Sequence, residues 1–305
     1  MIRSFAEVDH RAAAGKKRKL AVLAPEDEEF LQAIRSCHEK GWVEPVLIGD
    51  SDRIRKAADR IGFSLENKEV LHRKDRQAVS DLGTSMLFDR SVDLISKGQI
   101  PTAFIYRSII REEGKAGTGR NVSVVSLWDI PGVNRLTSLT DTGVNIRPDF
   151  PAKVKILRNA VFLFHLLGYE KPRIAVLSAP LTGSNSSGSL KDWEQLRAAC
   201  SEGTLGTCEV VEGTTFSGMF LRRSPPLGDP EEIHPGEIAE ILLVPNLDTG
   251  NILVKLDFFL DVKRRSLVVT SRGPVIIPSR SDFRDSIEGE LALGLVVAES
   301  LEEKT

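Results

Sequence analysis

The chain has 305 residues, a length that favours two domains over a single hydrophobic core. It is 41 % hydrophobic and 28 % charged, as ordinary globular proteins are, and its formal net charge of −2 argues against a nucleic-acid partner. No stretch approaches the roughly 18 consecutive apolar residues of a membrane span, and the N-terminus lacks the apolar centre of a signal peptide.

The first third of the chain alternates between short apolar runs and amphipathic segments. The runs KLAVLAP, VEPVLIGD, KEVLH and TAFIYRS predict strands. Between them, PEDEEFLQAIRSCHEKGW, SDRIRKAADRIGF and the segment from Asp75 to Lys97 predict helices. Strands and helices that alternate through short joints predict a parallel sheet covered on both faces.

The order changes after residue 120. NVSVVSLWDIP and NRLTSLTD predict adjacent strands with no helix between them, and Pro148 and Asp149 open a helix. A second alternating series follows, with strands at RIAVLSAP, CEVVEG, AEILLVPN, SLVVTS and PVIIPS and with helices near 189–201, at Asn251–Leu260 and at the C-terminus. The Ser-, Gly- and Pro-rich stretches 182–189 and 221–237 predict exposed loops.

The numbers and spacing of cysteine and histidine indicate the redox compartment of the protein and whether it binds a metal ion. The three cysteines are few, odd in number and unpatterned, which indicates a reducing cytoplasm. The five histidines make no metal-like spacing with Cys or carboxylates, so we expect no metal site.

Four joints that follow expected strands carry groups suited to anions. They are Ser279-Arg280-Ser281-Asp282, then PNLDTGNILVK with Gly250, Asn251 and Lys255, then KAGTGRNVS with Arg120 and Ser123, and LTDTGVNIRPD with Asp141 and Asn145. Helix N-termini present unpaired N–H groups, and ligands of parallel sheets bind where strand ends meet them. The recurrence of such groups at strand ends predicts an anion site.

Each joint also has a structural interpretation. Ser279 or Ser281 could cap the last helix, and Asp248 or Thr249 could cap the helix before it. Gly117 and Gly119 could form a tight turn, since the segment is neither a Walker P-loop nor a GxGxxG motif. Asp141 and Asn145 could bind their own backbone. The side chains of Arg107, Arg111 and Lys115 could form a solvated basic face.

Several blocks, in order along nearly the whole chain, resemble the phosphate acetyl/butyryltransferase family, with the butyryl branch most similar. They include AVLAPEDEEFLQAI, TGRNVSVVSLWDIPG, LTDTGVNIRPD, ILLVPNLDTGNILVK and PVIIPSRSD. The resemblance implies two α/β domains with mostly parallel sheets around a central cleft, isocitrate/isopropylmalate dehydrogenase-like. The first would comprise 1–146 plus 265–305 and the second 147–264.

The resemblance also implies a reaction. Acyl-CoA and phosphate would give acyl phosphate and CoA, reversibly, in a cytoplasmic homodimer. CoA would be a substrate, no cofactor would be bound permanently, and neither nucleic acid nor membrane would be a partner. A nicotinamide-dependent dehydrogenase on the same fold is disfavoured, because the sequence shows neither a cluster of Asp residues at metal-ligand spacing nor a clear dinucleotide fingerprint.

Family roles transfer to matching positions of this chain. Ser279 and Arg280 would hold phosphate or acyl phosphate, with the guanidinium offering a fork of donors. The remaining binding positions would be Arg120, Ser123, Asp141, Asn145, Gly250, Asn251 and Lys255. Fixed donors and cations there would stabilise a tetrahedral oxyanion.

The chain departs from the family pattern at several places, including Glu212 and Thr214, which replace an Asp and a Pro of the family. Ser286 stands where the acetyl branch carries an Asp expected to act as base, so Asp282 or Asp285 would serve, or no base is needed. The loop after FIYRS is shorter than in the family, and TGSNSSGS lacks the family pattern. These departures motivate an alternative, a non-catalytic relative that binds CoA, acyl phosphate or a partner enzyme.

Overall fold

The structure is a computed structural model that describes residues 1–178, 188–211, 239–279 and 283–304, with no side chains described for 188–190. It divides into two compact units. The central unit comprises Met1–Ser4 and Ser123–Arg264, and the N-terminal unit comprises Phe5–Val122 and Arg265–Thr305. No described helix has both the length and the apolar character needed to cross a membrane.

The N-terminal unit is a mostly parallel sheet with helices. Its helices are α1 Phe5–Ala14, α2 Glu28–Glu39, α3 Ser51–Arg60, α4 Arg76–Phe88, α5 Thr102–Lys115 and α9 Arg284–Glu303. Its strands are β1 Arg18–Leu23, β2 Val43–Gly49, β3 Glu69–His72, β4 Leu94–Lys97, β10 Lys263–Val269 and β11 Pro274–Ile276. The strand order is β3-β2-β1-β4-β11-β10, and β10 alone among these strands runs antiparallel to its neighbour β11.

The central unit contributes five strands. Its strands are β5 Val124–Asp129, β6 Thr137–Thr140, β7 Arg173–Val176, β8 Glu209–Val210 and β9 Ile241–Leu243, in the order β5-β6-β9-β7-β8. Its helices are α6 Phe150–Leu166, α7 Gly188–Ser201 and α8 Leu247–Leu253, and a 3-10 helix spans Val254–Phe258. β5 and β6 are antiparallel, and the other described pairs are parallel. The chain is thus a mixed α/β protein with mostly parallel strands, as expected.

Aspartate caps mark several helix starts that the sequence predicts. The carboxylates of Asp27, Asp75 and Asp149 accept backbone N–H groups of the first turns of α2, α4 and α6 at 3.0, 2.7 and 2.9 Å. Such a cap satisfies an N–H group that has no partner within the helix. The apolar face of α6 then packs inward, as expected, through Ile156 and Leu157.

The expectation for residues 75–108 was wrong in two respects. The helix that starts at Asp75 ends at Phe88, and the buried segment Leu94–Lys97 is strand β4. TAFIYRS is not a strand but the first part of α5, whose buried residues recur at helical spacing: Ile105, Ser108, Ile109 and Glu112. Phe, Ile and Tyr favour strands, but burial of the apolar face of this helix outweighs that preference.

Arg265 of β10 joins helix α1 to the N-terminal unit. Its guanidinium donates two hydrogen bonds to the Asp9 carboxylate at 2.7 and 2.9 Å, and its carbon lies 4.4 Å from the centre of the Phe5 ring. Arg265 is buried, whereas Arg11 of α1 is partly exposed in its pair with Glu299. The forked pair and the ring contact therefore hold α1 in place.

We predict that Arg265→Ala lowers the free energy of unfolding by about 2 kcal/mol, because it removes a buried fork of hydrogen bonds and the contact with Phe5. Arg11→Ala is the matched control and should cost less than about 1 kcal/mol, as exposed ion pairs do. Urea unfolding followed by circular dichroism measures both. Equal losses would show that Arg265 contributes no more than a surface pair.

Candidate functional site

Two parallel strands of the central unit end side by side and lead into the candidate site. Thr140 at the end of β6 pairs with Leu243 at the end of β9. The backbone N–H of Val244 also donates to the Thr140 carbonyl at 2.9 Å. The segments that follow, 141–145 after β6 and α8 after β9, therefore start from the same edge of the sheet.

Asp141 organises the first of these segments. Its carboxylate accepts the backbone N–H groups of Val124, Gly143 and Asn145 at 2.9, 3.0 and 2.7 Å, and the Asn145 side-chain amide at 2.6 Å. Asp141 is 2 % exposed. Burial raises the pKa of Asp141 above its ordinary value, and these hydrogen bonds offset part of the rise. Asp141 thus binds the local backbone, as its structural interpretation predicts.

Gly250 brings helix α8 against this segment. A Cβ atom on Gly250 would lie 2.6 Å from the Asp141 carbonyl oxygen and 3.2 Å from the Thr142 Cα. The neighbouring Asn251 side-chain amide donates to the Thr142 carbonyl at 3.4 Å, and the Leu247 N–H donates to the Ile146 carbonyl at 3.1 Å. Position 250 therefore needs a residue without a side chain.

Helix α8 begins earlier than expected. It starts at Leu247 rather than Asn251, and its cap is Asn246, whose side-chain oxygen accepts the Thr249 N–H at 2.9 Å. The interpretation of Asp248 or Thr249 as the cap was wrong, because both lie within the helix. Asn251 and Gly250 consequently occupy the middle of α8 rather than its N-terminus.

Ser123 directly precedes Val124, whose backbone N–H donates to the Asp141 carboxylate. Its hydroxyl accepts a hydrogen bond from the Asn159 side-chain amide at 3.0 Å, and both residues are buried. Asn159 was missed in the sequence, although a polar residue within the buried face of α6 is the signal that could have found it. Ser126 and Thr142 were also missed; their hydroxyls lie 2.8 Å apart in the interior.

Five expected site residues thus belong to one region of the central unit, which we call the 141 cluster: Ser123, Asp141, Asn145, Gly250 and Asn251. Asn251 is exposed and Asn145 is half-buried. Lys255 lies on the 3-10 helix, exposed, with no hydrogen bond or ion pair to any described residue. The cluster therefore combines a fixed interior with amides near its surface.

Arg120 belongs to the N-terminal unit, after the Gly-rich turn that ends α5. Gly117 and Gly119 both have φ of 65°, and Thr118 between them donates to the buried Glu113 carboxylate. Glu113 also accepts the Ser271 N–H at 2.7 Å. The tight-turn interpretation of the two glycines is therefore correct, and Arg120 itself is half-buried.

The basic residues of α5 are engaged with neighbouring polar groups. Arg107 donates to the Gln77 side-chain oxygen at 2.8 Å, Arg111 pairs with Asp81 at 2.9 Å and Lys115 pairs with Glu112 at 2.8 Å. All three are exposed, as the interpretation of a solvated basic face expects, but each is engaged with a neighbouring polar or acidic side chain.

Ser279 follows β11 at the carboxyl edge of the N-terminal sheet and is exposed. Helix α9 begins at Arg284, and its cap residue Phe283 makes no side-chain cap hydrogen bond within the described chain. Ser279 is therefore not the cap of α9, contrary to that interpretation. Ser286 is exposed in the first turn, while Arg280, Ser281 and Asp282 lie outside the described residues.

Within the described ranges, no three His, Cys, Asp or Glu side chains come together in a way that could hold a metal ion.

We predict that Gly250→Ala lowers the free energy of unfolding by about 1–3 kcal/mol, because the new Cβ must push α8 away from the backbone of residues 141 and 142. Gly114→Ala is the matched control, since a Cβ atom on this glycine of α5 would meet nothing within 4 Å and should cost little. Chemical denaturation measures both variants. An unchanged free energy of unfolding in Gly250→Ala would show that α8 does not pack closely on residues 141 and 142.

Comparison with known proteins agrees with this architecture. Residues 66–214 match the family model described as phosphate acetyl/butaryl transferase. The chain is 28 % identical to the phosphate butyryltransferase of Clostridium acetobutylicum, over 98 % of this chain and 99 % of that protein. It is 26 % identical to the phosphate acetyltransferase of Thermotoga maritima, over 94 % and 97 %.

A solved structure shows the same fold. The branched-chain phosphotransacylase of Enterococcus faecalis superposes with a TM-score of 0.73 at 22 % identity, over 92 % of this chain and 98 % of that one. Together with the family model and the nearly full-length relatives, the fold and the blocks of residues around the 141 cluster lead to one conclusion. The chain is similar in sequence to phosphate butyryltransferases and acetyltransferases over nearly its whole length, and it shares the fold of a phosphotransacylase.

Proposed function

We propose that this protein transfers a short-chain acyl group between coenzyme A and inorganic phosphate. The observation that carries the proposal is the similarity to phosphate butyryltransferase over 98 % of the chain, which includes both the 141 cluster and the Ser279 segment. The reaction is acyl-CoA plus phosphate giving acyl phosphate plus CoA, and it is reversible. CoA is a substrate here rather than a resident cofactor.

In the proposed site, phosphate binds at the start of α9. The first N–H groups of a helix attract anions, and the cap residue of α9, Phe283, makes no side-chain cap hydrogen bond within the described chain. The exposed Ser279 hydroxyl and the Arg280 guanidinium add donors from the preceding segment. Arg120 supplies a further cation, as the family pattern implies.

The 141 cluster serves the acyl-CoA in this proposal. The amides of Asn145 and Asn251 and the ammonium of Lys255 are donors that can bind the thioester oxygen or the phosphates of CoA. Asp141 is too buried to be a base in contact with substrate, so its role is to position Asn145 and the backbone around it.

The chemical step requires little proton transfer. A phosphate oxygen attacks the thioester carbonyl carbon, and the negative charge collects on the carbonyl oxygen, where fixed donors stabilise it. The carbon–sulfur bond then breaks, the acyl phosphate forms, and CoA leaves as a thiolate. In the reverse direction a base must accept the thiol proton, and Asp282 or Asp285 is the proposed acceptor, with Ser286 beside them.

We further propose that two copies of the chain form a homodimer in the cytoplasm. Large apolar side chains of the central unit are exposed close together in sequence: Ile252 at 66 %, Phe258 at 57 %, Phe259 at 86 % and Leu260 at 50 %. An exposed apolar patch of this kind is a common feature of subunit interfaces. The patch follows α8, so a second copy would cover residues next to the site.

The activity is tested by mixing the purified protein with acetyl-, propionyl- and butyryl-CoA and phosphate and following thiol release. We expect phosphate-dependent release with at least one acyl-CoA. Folded protein that releases no thiol from any of them would contradict the proposal. Thermal stabilisation by CoA without turnover would instead favour the non-catalytic relative.

The phosphate site is tested with Arg280→Ala. We expect phosphate-dependent turnover to fall by about 100-fold or more, because a donor to the developing charge is lost, while the melting temperature stays nearly constant. Arg272→Ala is the matched control, since Arg272 is an exposed arginine in the turn before β11. A large drop in the melting temperature of Arg280→Ala would assign the residue to the fold instead.

The subunit interface is tested with Phe259→Asp, which places a charge in the apolar patch. We expect light scattering with size-exclusion chromatography to report a dimer for the native chain and a monomer for this variant. Ile110→Asp, at an exposed position of α5, is the control and should leave the dimer intact. A native protein that elutes as a monomer would refute the homodimer.

A further inference from the structure

Two cysteine side chains of the central unit lie in contact. Cys200 is in the last turn of α7 and Cys208 directly precedes β8, and their sulfur atoms are 3.4 Å apart. The Cys200 thiol also lies 3.3 Å from the Cys208 carbonyl oxygen, to which it donates. Both are free thiols, and Cys200 is the more accessible of the two.

The turn between them holds this arrangement in place. Gly203 and Thr204 donate backbone hydrogen bonds to the carbonyls of Cys200 and Ala199 at 3.0 and 2.9 Å. Leu205 in the turn is only 2 % exposed. On the far side, the Glu209 N–H donates to the Pro172 carbonyl at 3.1 Å. The two sulfur atoms are therefore neighbours because the backbone on both sides is anchored.

We propose that Cys200 and Cys208 form a reversible modification site, which closes to an intramolecular disulfide by exchange with the disulfide of a low-molecular-weight thiol. A disulfide bond is about 2.05 Å long, so the sulfur atoms need to approach by little more than an ångström. This modification does not depend on the proposed acyl transfer.

The exchange balances in two steps. The Cys200 thiolate attacks one sulfur of the small disulfide, forms a mixed disulfide and releases the first small thiol. The Cys208 thiolate then attacks the Cys200 sulfur and releases the second. The two protein thiols are oxidised, the small disulfide is reduced, and the two thiol protons end on the two small thiols.

Burial decides the order of these steps. Desolvation raises the pKa of the Cys208 thiol to about 12, and the neighbouring Cys200 thiol adds to the rise. Because the thiolate is the nucleophile, Cys208 is a poor first attacker. Cys37, the third cysteine, is fully buried in the N-terminal unit, and burial raises its pKa to about 12 as well, so it should not react.

The test treats the reduced native chain with oxidised glutathione, blocks the remaining thiols under denaturing conditions, and measures the intact mass and the peptide map. We expect two of the three thiols to be lost, a mass lower by two hydrogen atoms, and one cross-linked pair of peptides containing Cys200 and Cys208. A dithiol reductant should restore both thiols.

Two variants separate the steps. Cys208→Ser should stop at one glutathione on Cys200, and Cys200→Ser should gain almost none, because Cys208 is buried. The native chain alone decides the proposal if either variant fails to fold. A stable mixed disulfide on native Cys200, or thiols that react only when the chain is denatured, would overturn it.

Discussion

The carboxylate of Asp141 is the contact on which the geometry of the candidate site depends. It accepts the N–H groups of Val124, Gly143 and Asn145, so it fixes the start of β5 and the segment after β6 with one side chain. Gly250 then packs on the Asp141 carbonyl. The Asn145 and Asn251 amides are held by the same contacts, because Asn145 donates to the Asp141 carboxylate and Asn251 donates to the Thr142 carbonyl.

The chemistry around the 141 cluster is dominated by donors. Its one carboxylate is buried and occupied by N–H groups, while the amides and the exposed Lys255 remain near the surface. At the start of α9, the backbone N–H groups of the first turn are donors, and the same turn also holds the Asp285 carboxylate. The N–H groups and amides favour phosphate and a developing oxyanion, which agrees with the proposed acyl transfer to phosphate.

Sequence patterns predicted most of the fold where local signals agreed. Asp27 and Asp149 mark true helix starts because their carboxylates cap the first turn. The prediction failed at two places. Leu94–Lys97 is a strand that was predicted as part of a helix, and the first part of the helix Thr102–Lys115 was predicted as a strand. Local propensity misled there, because Ile105 and Ile109 are buried on a helix that packs against α4, a contact that propensity does not record.

The sequence by itself determined the α/β class, the strand ends that carry polar groups, and the similarity to phosphate acetyl- and butyryltransferases, because these depend on short-range periodicity and on residues at fixed spacing. Only the tertiary structure decided which of those residues meet. In the structure, Gly250 packs on the Asp141 carbonyl, and Asn246 is the cap of α8. Phe283 rather than Ser279 is the cap residue of α9, and the sulfur atoms of Cys200 and Cys208 are in contact. Such contacts depend on how strands pair and turns are anchored, which no local pattern records.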